Sequence, residues 1–142
     1  MGLKQITHGS TEYQKMLQLR NEVLRMPLGL TFTEEELLKE KNDILIGAFD
    51  EDRILGCCML TAINEKTIKL RQMAVQKSQQ GKGIGEALLN FTENIARDKG
   101  YTILIMHARS PAIGFYEKMG YNIVGEQFTE VSISHYFMKK NL

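Results

Sequence analysis

The sequence predicts an α/β fold, in which helices cover both faces of a mixed, mostly antiparallel sheet with a central pair of parallel strands. Two patterns indicate it. Apolar runs at residues 67–75 and 102–107 flank an amphipathic helical pattern at residues 83–99, and the right-handed crossover of such a strand-helix-strand unit makes its strands parallel. Earlier apolar runs at residues 43–49 and 54–63 flank a short charged turn, which is typical of an antiparallel hairpin.

The first third of the chain predicts one strand and two helices. Residues 3–7 are predicted to form a short first strand, and residues 12–25 carry a helical pattern that ends before Pro27. Thr33 is followed three residues later by Glu36, a capping-box pattern that predicts a second helix to about residue 40.

The end of the chain predicts one more helix and two strands. Ser110 before Pro111 fits a helix N-cap followed by proline at the first helical position, so a helix is expected at residues 111–119. Residues 121–124 and 131–138 are the expected final strands.

Composition limits the classes of function. The chain of 142 residues is 43% hydrophobic, which predicts a single domain over residues 1–142. With 18 Lys and Arg against 17 Asp and Glu, no global field attracts nucleic acid or an anionic membrane. The opening residues lack the apolar core of a signal peptide, and no apolar stretch approaches the roughly 18 residues of a membrane span. We therefore expect a cytoplasmic protein with no nucleic-acid or membrane partner.

Cysteine and histidine offer little support for a thiol or metal centre. Cys57 and Cys58 are adjacent in a strand-like run, so their side chains point to opposite faces and are interpreted as buried apolar residues. A thiol nucleophile is the alternative, although no basic residue lies close in sequence to activate it. His8, His107 and His135 have no metal-type spacing, so no metal site is predicted.

A glycine-rich turn is the clearest functional signal. Gly81, Gly83 and Gly85 precede an amphipathic helix, with Lys82 between the first two. Glycines let the backbone adopt positive φ and approach a ligand, and the free N–H groups of a helix N-terminus attract anions. The turn predicts a phosphate cradle, with a simple tight loop as the alternative. The Walker A motif is excluded because Lys82 is followed by glycine, and the G-x-G-x-x-G dinucleotide motif does not match.

Two motifs together resemble the GNAT family of acyl-CoA-dependent N-acyltransferases. Gln80, Gly83 and Gly85 match the family's Gln/Arg-x-x-Gly-x-Gly pyrophosphate signature, and residues 112–121 are similar to its A-x-x-F-Y-E-K-x-G-F/Y segment. The C-terminal part is similar to the ElaA-like branch, except that Ser134 replaces the usual proline. The resemblance implies the same α/β layout and acetyl-CoA as cosubstrate.

The resemblance also implies a set of cofactor-binding residues. Backbone groups of Met73, Ala74 and Val75 line the pantetheine, and the glycine-rich turn holds the pyrophosphate. The full set consists of Met73, Ala74, Val75, Gln80, Gly81, Lys82, Gly83, Ile84, Gly85, Glu86, Arg109, Ala112, Phe115, Tyr116 and Lys118. Arg109 stands where many family members have an asparagine, so it contacts a CoA phosphate or leaves the local hydrogen bond to Ser110.

Two residues are candidate catalysts. Tyr116 falls on the tyrosine that typically donates to the CoA sulfur in the family; the alternative is that Phe115 and Tyr116 form a packing pair. The strand before the turn has Lys69, Arg71 and Gln72 and no carboxylate to act as base. His135 is the best alternative base because imidazole titrates near neutral pH, and a water chain is the other option.

The predicted function is transfer of an acetyl group from acetyl-CoA to a primary amine of a small molecule, by direct attack in a ternary complex. Arg20, Glu126 and Glu130 are the predicted substrate-binding residues, although the two glutamates could equally form a solvated edge. Two alternatives are a non-catalytic module that senses acyl-CoA and an acetyltransferase of protein lysines or N-termini. A homodimer is compatible with all three.

Overall fold

The computed structural model describes all 142 residues and contains one eight-stranded sheet. Its strands are β1 (Gly2–Ile6), β2 (Ile44–Asp50), β3 (Arg53–Ala62), β4 (Thr67–Val75), β5 (Ile103–Arg109), β6 (Asn122–Ile123), β7 (Phe128–Glu130) and β8 (Ile133–Asn141). The order is β1-β2-β3-β4-β5-β8-β6, and β7 also pairs with β8. Only β4 and β5 are parallel, and every other pair is antiparallel. The predicted fold class is confirmed.

Four α-helices cover the two faces of the sheet. They are α1 (Thr11–Arg20), α2 (Glu34–Leu38), α3 (Ile84–Asp98) and α4 (Ile113–Lys118). Met16 and Leu19 of α1 belong to one apolar cluster together with Cys57, while Leu88 of α3 belongs to the cluster on the other side with Cys58. The adjacent cysteines thus point to opposite faces and are fully buried, as predicted.

The helix predicted at residues 12–25 is not α-helical throughout. After Arg20 the chain widens into a π-helical turn, Asn21–Arg25, followed by a 3₁₀ turn that ends at Gly29. The N–H of Met26 donates to the carbonyl of Asn21, five residues earlier. Pro27 has no N–H with which to continue the helical hydrogen bonds, and it lies in the 3₁₀ turn where the helical segment ends. The wider turn reaches the region where β4 and β5 separate.

The C-terminal third differs from the sequence prediction in two places. Ser110 does not cap a helix: its hydroxyl donates to the carbonyl of Ser134 at 3.1 Å, and a 3₁₀ turn precedes α4. The strand predicted at residues 121–124 is shorter in the structure, where β6 spans Asn122–Ile123. β7 was not predicted, because three largely exposed residues are too few to show the alternation typical of a strand. In both places the first residues of β8 lie beside the last residues of β5.

The sheet splits at its centre. Pairing between β4 and β5 covers only four residue pairs and ends at Leu70 and Met106. Just beyond, a β-bulge displaces β4 relative to β3, and Gln72 adopts a φ of 55°. Bulges bend a strand and re-aim its side chains. Residues 71–75 therefore have no partner on the β5 side, and a gap opens between the two strands.

A buried ion pair holds α1 against the 3₁₀ turn Lys39–Asn42. Two nitrogens of Arg20 donate to the two oxygens of Glu40 at 2.7 and 2.6 Å, and the Tyr13 hydroxyl donates to Glu40 at 2.9 Å. Arg20 is 0% exposed. This placement does not support the prediction that Arg20 binds substrate, because its guanidinium is fully buried and paired with Glu40.

Candidate active site

The glycine-rich turn carries an array of free backbone donors. Gly81 and Gly83 have φ values of 80° and 83°, and nothing lies within 4 Å of where their Cβ atoms would be. None of the backbone N–H groups from Gly81 to Glu86 donates a hydrogen bond within the protein, and no side chain caps α3. The Gln80 amide donates to the Val75 carbonyl at 3.2 Å, which fixes the turn to the end of β4. Unpaired N–H groups at a helix N-terminus bind anions.

A cleft of about 570 Å³ runs from this turn along β4 to α4. It is lined by Val23, Met73, Ala74, Val75, Gln79, Gln80, Gly81, Gly83, Gly85, Glu86, Ala112, Phe115, Tyr116, Lys118 and Met119. Most of the residues predicted to bind the cofactor are thus brought together. Gly85 lies against α4, because a Cβ there would stand 3.4 Å from the Phe115 ring.

A second cavity of about 240 Å³ adjoins the cleft. Its walls are Leu24, Arg25, Lys69, Leu70, Arg71, Gln72, Met73, Met106, His107, Ala108, Arg109, Ala112, Tyr116, Glu130, Val131 and His135. Met73, Ala112 and Tyr116 line both spaces. The gap between β4 and β5 therefore forms one channel with two compartments that meet at these side chains.

Tyr116 lies where the two compartments meet. Its side chain is nearly buried, with 7% exposure, and its hydroxyl donates to the Met73 thioether sulfur at 3.5 Å. Burial raises the pKa of Tyr116 well above that of a free phenol. The group therefore stays protonated at neutral pH. A thioether is a weak acceptor, so the hydroxyl is available to a stronger one.

His135 lines the smaller cavity and is oriented by its backbone. Nδ1 lies 2.8 Å from the Ile133 carbonyl, and the ring stacks on Phe128 with centroids 5.8 Å apart. A carbonyl oxygen only accepts, so Nδ1 carries the proton and Nε2 of the neutral ring keeps its lone pair. The imidazole can therefore accept a proton at Nε2.

Several residues predicted for the site lie elsewhere. Lys82 is exposed beside the glycine-rich turn, and Ile84 is buried in the core. Arg109 lines the smaller cavity, where it donates to the Leu24 carbonyl at 3.1 Å, and not the larger cleft. Glu126 is exposed outside both compartments, while Glu130 lines the smaller one and accepts from His107 at 2.9 Å.

Neither cysteine lines the channel. Burial raises the pKa of Cys58 to about 12 and raises the pKa of Cys57 further. A thiolate is therefore not populated near neutral pH, so the structure does not support the thiol-nucleophile alternative. No cluster of three or more His, Cys, Asp or Glu residues is arranged to hold a metal ion. No helix has both the length and the apolar character that crossing a bilayer requires.

Sequence reasoning missed other lining residues. Gln79 and Met119 contribute to the cleft. Val23, Leu24 and Arg25 also line the channel; they were not named individually, although sequence placed the acceptor surface around residues 20–33. Their positions depend on the π-helical turn and on the separation of β4 from β5, which no local sequence period reports.

Comparison with known proteins identifies the family. The model of the Acetyltransferase (GNAT) family matches residues 12–121. The chain belongs to the GNAT family. It is therefore an N-acetyltransferase that uses acetyl-CoA, and the predicted resemblance is confirmed.

Individual relatives agree with this assignment. The uncharacterized protein YyaT of Bacillus subtilis is 29% identical over 111 residues, which is 78% of this chain and 74% of that protein. The chain spans about half the length of several other curated relatives that it matches. A crystal structure of Escherichia coli ElaA superimposes with a TM-score of 0.85 at 16% identity, covering 99% of this chain and 100% of that one.

One structural neighbour was crystallised with coenzyme A. It is an aminoglycoside 6'-N-acetyltransferase, with a TM-score of 0.82 at 18% identity, covering 99% of this chain and 97% of that chain. At this identity the likeness shows the fold alone.

The glycine-rich turn of this GNAT protein is expected to be sensitive to any added side chain. In Gly83→Ala, we expect the affinity for CoA to fall about 10-fold or more, because the new methyl group enters the open space beside the turn and a positive φ opposes an L side chain. Isothermal titration with CoA measures the effect.

Gly100→Ala is the matched control for that variant. Gly100 ends the same helix region with a φ of 92° and also has nothing within 4 Å of its Cβ position. We expect both variants to lose about 1–2 kcal/mol of stability, because both impose the same backbone strain. Equal losses of CoA affinity in the two variants would contradict a specific role for the turn.

Proposed function

We propose that the protein transfers an acetyl group from acetyl-CoA to a primary amine of a small molecule by direct attack within a ternary complex. The observation that carries this proposal is the channel with two compartments. The larger compartment ends at the free donors of the glycine-rich turn, the smaller is a separate cavity, and Tyr116 lies between them. Two substrates can therefore occupy the channel together and meet at Tyr116.

The larger compartment fits CoA. The free N–H groups of Gly81 to Glu86 are suited to the pyrophosphate, and the unpaired edge of β4 at residues 71–75 offers backbone groups to the amides of pantetheine. Bound acetyl-CoA supplies the activated thioester carbonyl and a thiolate leaving group. The cleft directs that end of the molecule towards Met73 and Tyr116.

Tyr116 and His135 have complementary roles in this proposal. Tyr116 donates a hydrogen bond to the sulfur as negative charge develops there, in place of its contact with Met73. His135 takes the proton of the amine at Nε2, directly or through one water. Deprotonating an alkylammonium at pH 7 costs about 4 to 5 kcal/mol, so a proton acceptor near the amine is needed.

The alternatives account for less of the structure. A module that only senses acyl-CoA needs the larger cleft but not an adjoining cavity with an oriented imidazole. A protein acceptor needs a groove that admits a polypeptide, and the acceptor compartment of about 240 Å³ is closer in size to a small molecule. A cytoplasmic location is part of the proposal on sequence grounds, and a homodimer is compatible with it.

Amine-dependent release of CoA thiol tests the proposed function. Purified protein with acetyl-CoA is offered small primary amines and lysine-containing peptides, and the acetylated product is identified by mass spectrometry. We expect turnover with at least one small amine. Acetylation of peptides alone would favour the protein-acceptor alternative, and CoA binding without turnover on any acceptor would favour the sensor.

The same assay tests His135. His135→Asn retains a donor near the position of Nδ1 for the Ile133 carbonyl but removes Nε2, so we expect kcat to fall about 100-fold while CoA binding is unchanged. His8→Asn is the control, since His8 contacts the Leu37 carbonyl away from both compartments. Equal activity of the two variants would exclude His135 as the base.

A further inference from the structure

The smaller compartment has an unusual charge balance. Among its 16 lining residues are four permanent or nearly permanent cations, Arg25, Lys69, Arg71 and Arg109, and one carboxylate, Glu130. The whole chain has a formal charge of +1, so this concentration of positive charge is local. All four cations are partly shielded from solvent.

Three of these cations have no carboxylate partner. Arg71 donates to the Thr61 hydroxyl, Arg109 donates to the Leu24 carbonyl, and Lys69 has only a 3.5 Å approach to His107. No carboxylate oxygen lies within 4.0 Å of any of the three.

The other two charged residues of the compartment are already engaged. The carboxylate of Glu130 is bound to His107 at 2.9 Å, and Arg25 pairs with Glu36 at 3.3 Å. Glu40 and Asp43 act on Arg71 at longer range, as Glu130 does on Lys69 and Arg109, but none of these carboxylates forms a direct ion pair with the three cations. The lining of the compartment thus holds more positive than negative charge.

The electrostatics of the cations agree with this geometry. Burial lowers the pKa of Lys69; attraction to Glu130 opposes this and repulsion from Arg71 adds to it. Burial and then repulsion from Arg25 lower the pKa of Arg109, and attraction to Glu130 offsets part of that effect. Like charges are therefore close enough to oppose one another. Partly desolvated charges without a counter-ion are costly, and an anionic ligand would relieve that cost.

We propose that the acceptor is an amine that also carries an anionic group, a carboxylate or a phosphate, which Arg71, Lys69 and Arg109 hold in the smaller compartment. This inference rests on the proposed function and specifies its acceptor class. Arg71 and Arg109 present planar donor pairs suited to either anion, and Lys69 adds a compact charge.

The same charges act on the amine end of the acceptor. Neighbouring cations disfavour the ammonium form of the acceptor, so they assist its deprotonation. This matters because β4 has no carboxylate to act as base. The cations also disfavour polycationic acceptors. Glu130, which is paired with His107, offsets this field only in part, since one carboxylate faces four cations.

The cofactor phosphates are the other anions that these residues could bind. The four cations line the smaller compartment and none lines the larger cleft, whose phosphate-binding features are the backbone donors at its opposite end. The placement therefore favours the acceptor.

Matched acceptors test the inference. Acetylation rates are measured for 4-aminobutanoate against 4-aminobutanamide, phosphoethanolamine against ethanolamine, and 1,4-diaminobutane as a dication. We expect kcat/KM for at least one anionic amine to exceed that of its neutral partner about 10- to 100-fold, the range of a charge-assisted contact. The carboxylate and phosphate arms distinguish the two anions.

Variants locate the effect in the compartment. Arg71→Met and Lys69→Met keep the length of the side chain and remove its charge, and each should reduce the preference for the anionic amine about 10-fold with CoA affinity unchanged. Lys99→Met removes an exposed charge just after α3 and should leave the preference as it is.

Binding is measured alongside turnover, so that this inference and the proposed function can fail separately. If the protein turned over amines but preferred the neutral amines or the diamine to the anionic ones, the inference would be overturned and the proposed function kept. No turnover, with the anionic amines binding CoA-saturated protein and losing affinity in Arg71→Met, would keep the anion site and overturn the function. Anionic amines that neither bind nor react would overturn the inference.

Discussion

Replacing Tyr116 by Phe is expected to lower kcat about 100-fold or more while the affinity for CoA stays within about 2-fold. The ring keeps its place at the junction of the two compartments, and only the hydroxyl that contacts the Met73 sulfur is lost. The lost contact is to a thioether, a weak acceptor, so stability should change little. Steady-state rates of thiol release and CoA titration measure the two quantities.

Tyr121→Phe is the control for this variant. Tyr121 is also buried, but its hydroxyl donates to Glu93 at 2.7 Å and lines neither compartment. Here we expect the reverse result: a loss of roughly 1.5–3 kcal/mol of stability with kcat nearly unchanged. If Tyr116→Phe kept wild-type kcat, Tyr116 would be a packing residue and not the acid.

Arg20→Met is expected to destabilise the fold by about 3–5 kcal/mol, because it leaves the buried carboxylate of Glu40 without its cation. The loss should lower the melting temperature by roughly 10 °C. Denaturant unfolding at pH 7 measures the free energy. Since Arg20 lines neither compartment, kcat of the protein that remains folded should be nearly unchanged.

Two comparisons make the Arg20 prediction specific. The double variant Arg20→Met/Glu40→Leu should recover much of the lost stability, because no unpaired charge remains. Arg25→Met removes a more exposed pair with Glu36 and should cost at most about 1 kcal/mol. A small effect of Arg20→Met on stability would show that the buried pair contributes little.

The same pair sets a dependence of stability on pH. Burial alone would raise the pKa of Glu40, but the guanidinium of Arg20 holds it below its usual range. A carboxyl whose pKa is lower in the folded state stabilises the fold above its unfolded pKa of about 4.3. That contribution is lost as pH falls through the lower pKa of the folded state.

Local sequence patterns predicted most of the fold. The strand-helix-strand unit and the preceding hairpin were correct within one or two residues, because their apolar periods are long and unmixed. The helix start predicted at Thr33 was also correct, since its hydroxyl accepts from the Glu36 N–H. Short elements were not readable: β7 has three residues, and Ser110 bonds to Ser134 across the sheet where a local cap was predicted.

The candidate site was predictable only in part, for a physical reason. The glycine-rich turn and the segment around Tyr116 are local motifs, and the fold brings them to one cleft. The acceptor compartment depends on the bulge at Gln72, the π-helical turn and the end of β8, which are brought together by long-range packing. Arg20 was predicted to bind substrate for the same reason, since local sequence shows neither its burial nor its pairing with Glu40.

The division of the channel has a consequence for how such a protein diverges. Only Met73, Ala112 and Tyr116 are shared by the two compartments, so most acceptor-facing positions can mutate without disturbing the glycine-rich turn. Leu24 and Arg25 on the π-helical turn and Val131 in the β7–β8 connection lie on short peripheral segments, where replacement costs little folding energy. Acceptor choice can therefore drift over generations while the acetyl donor stays the same.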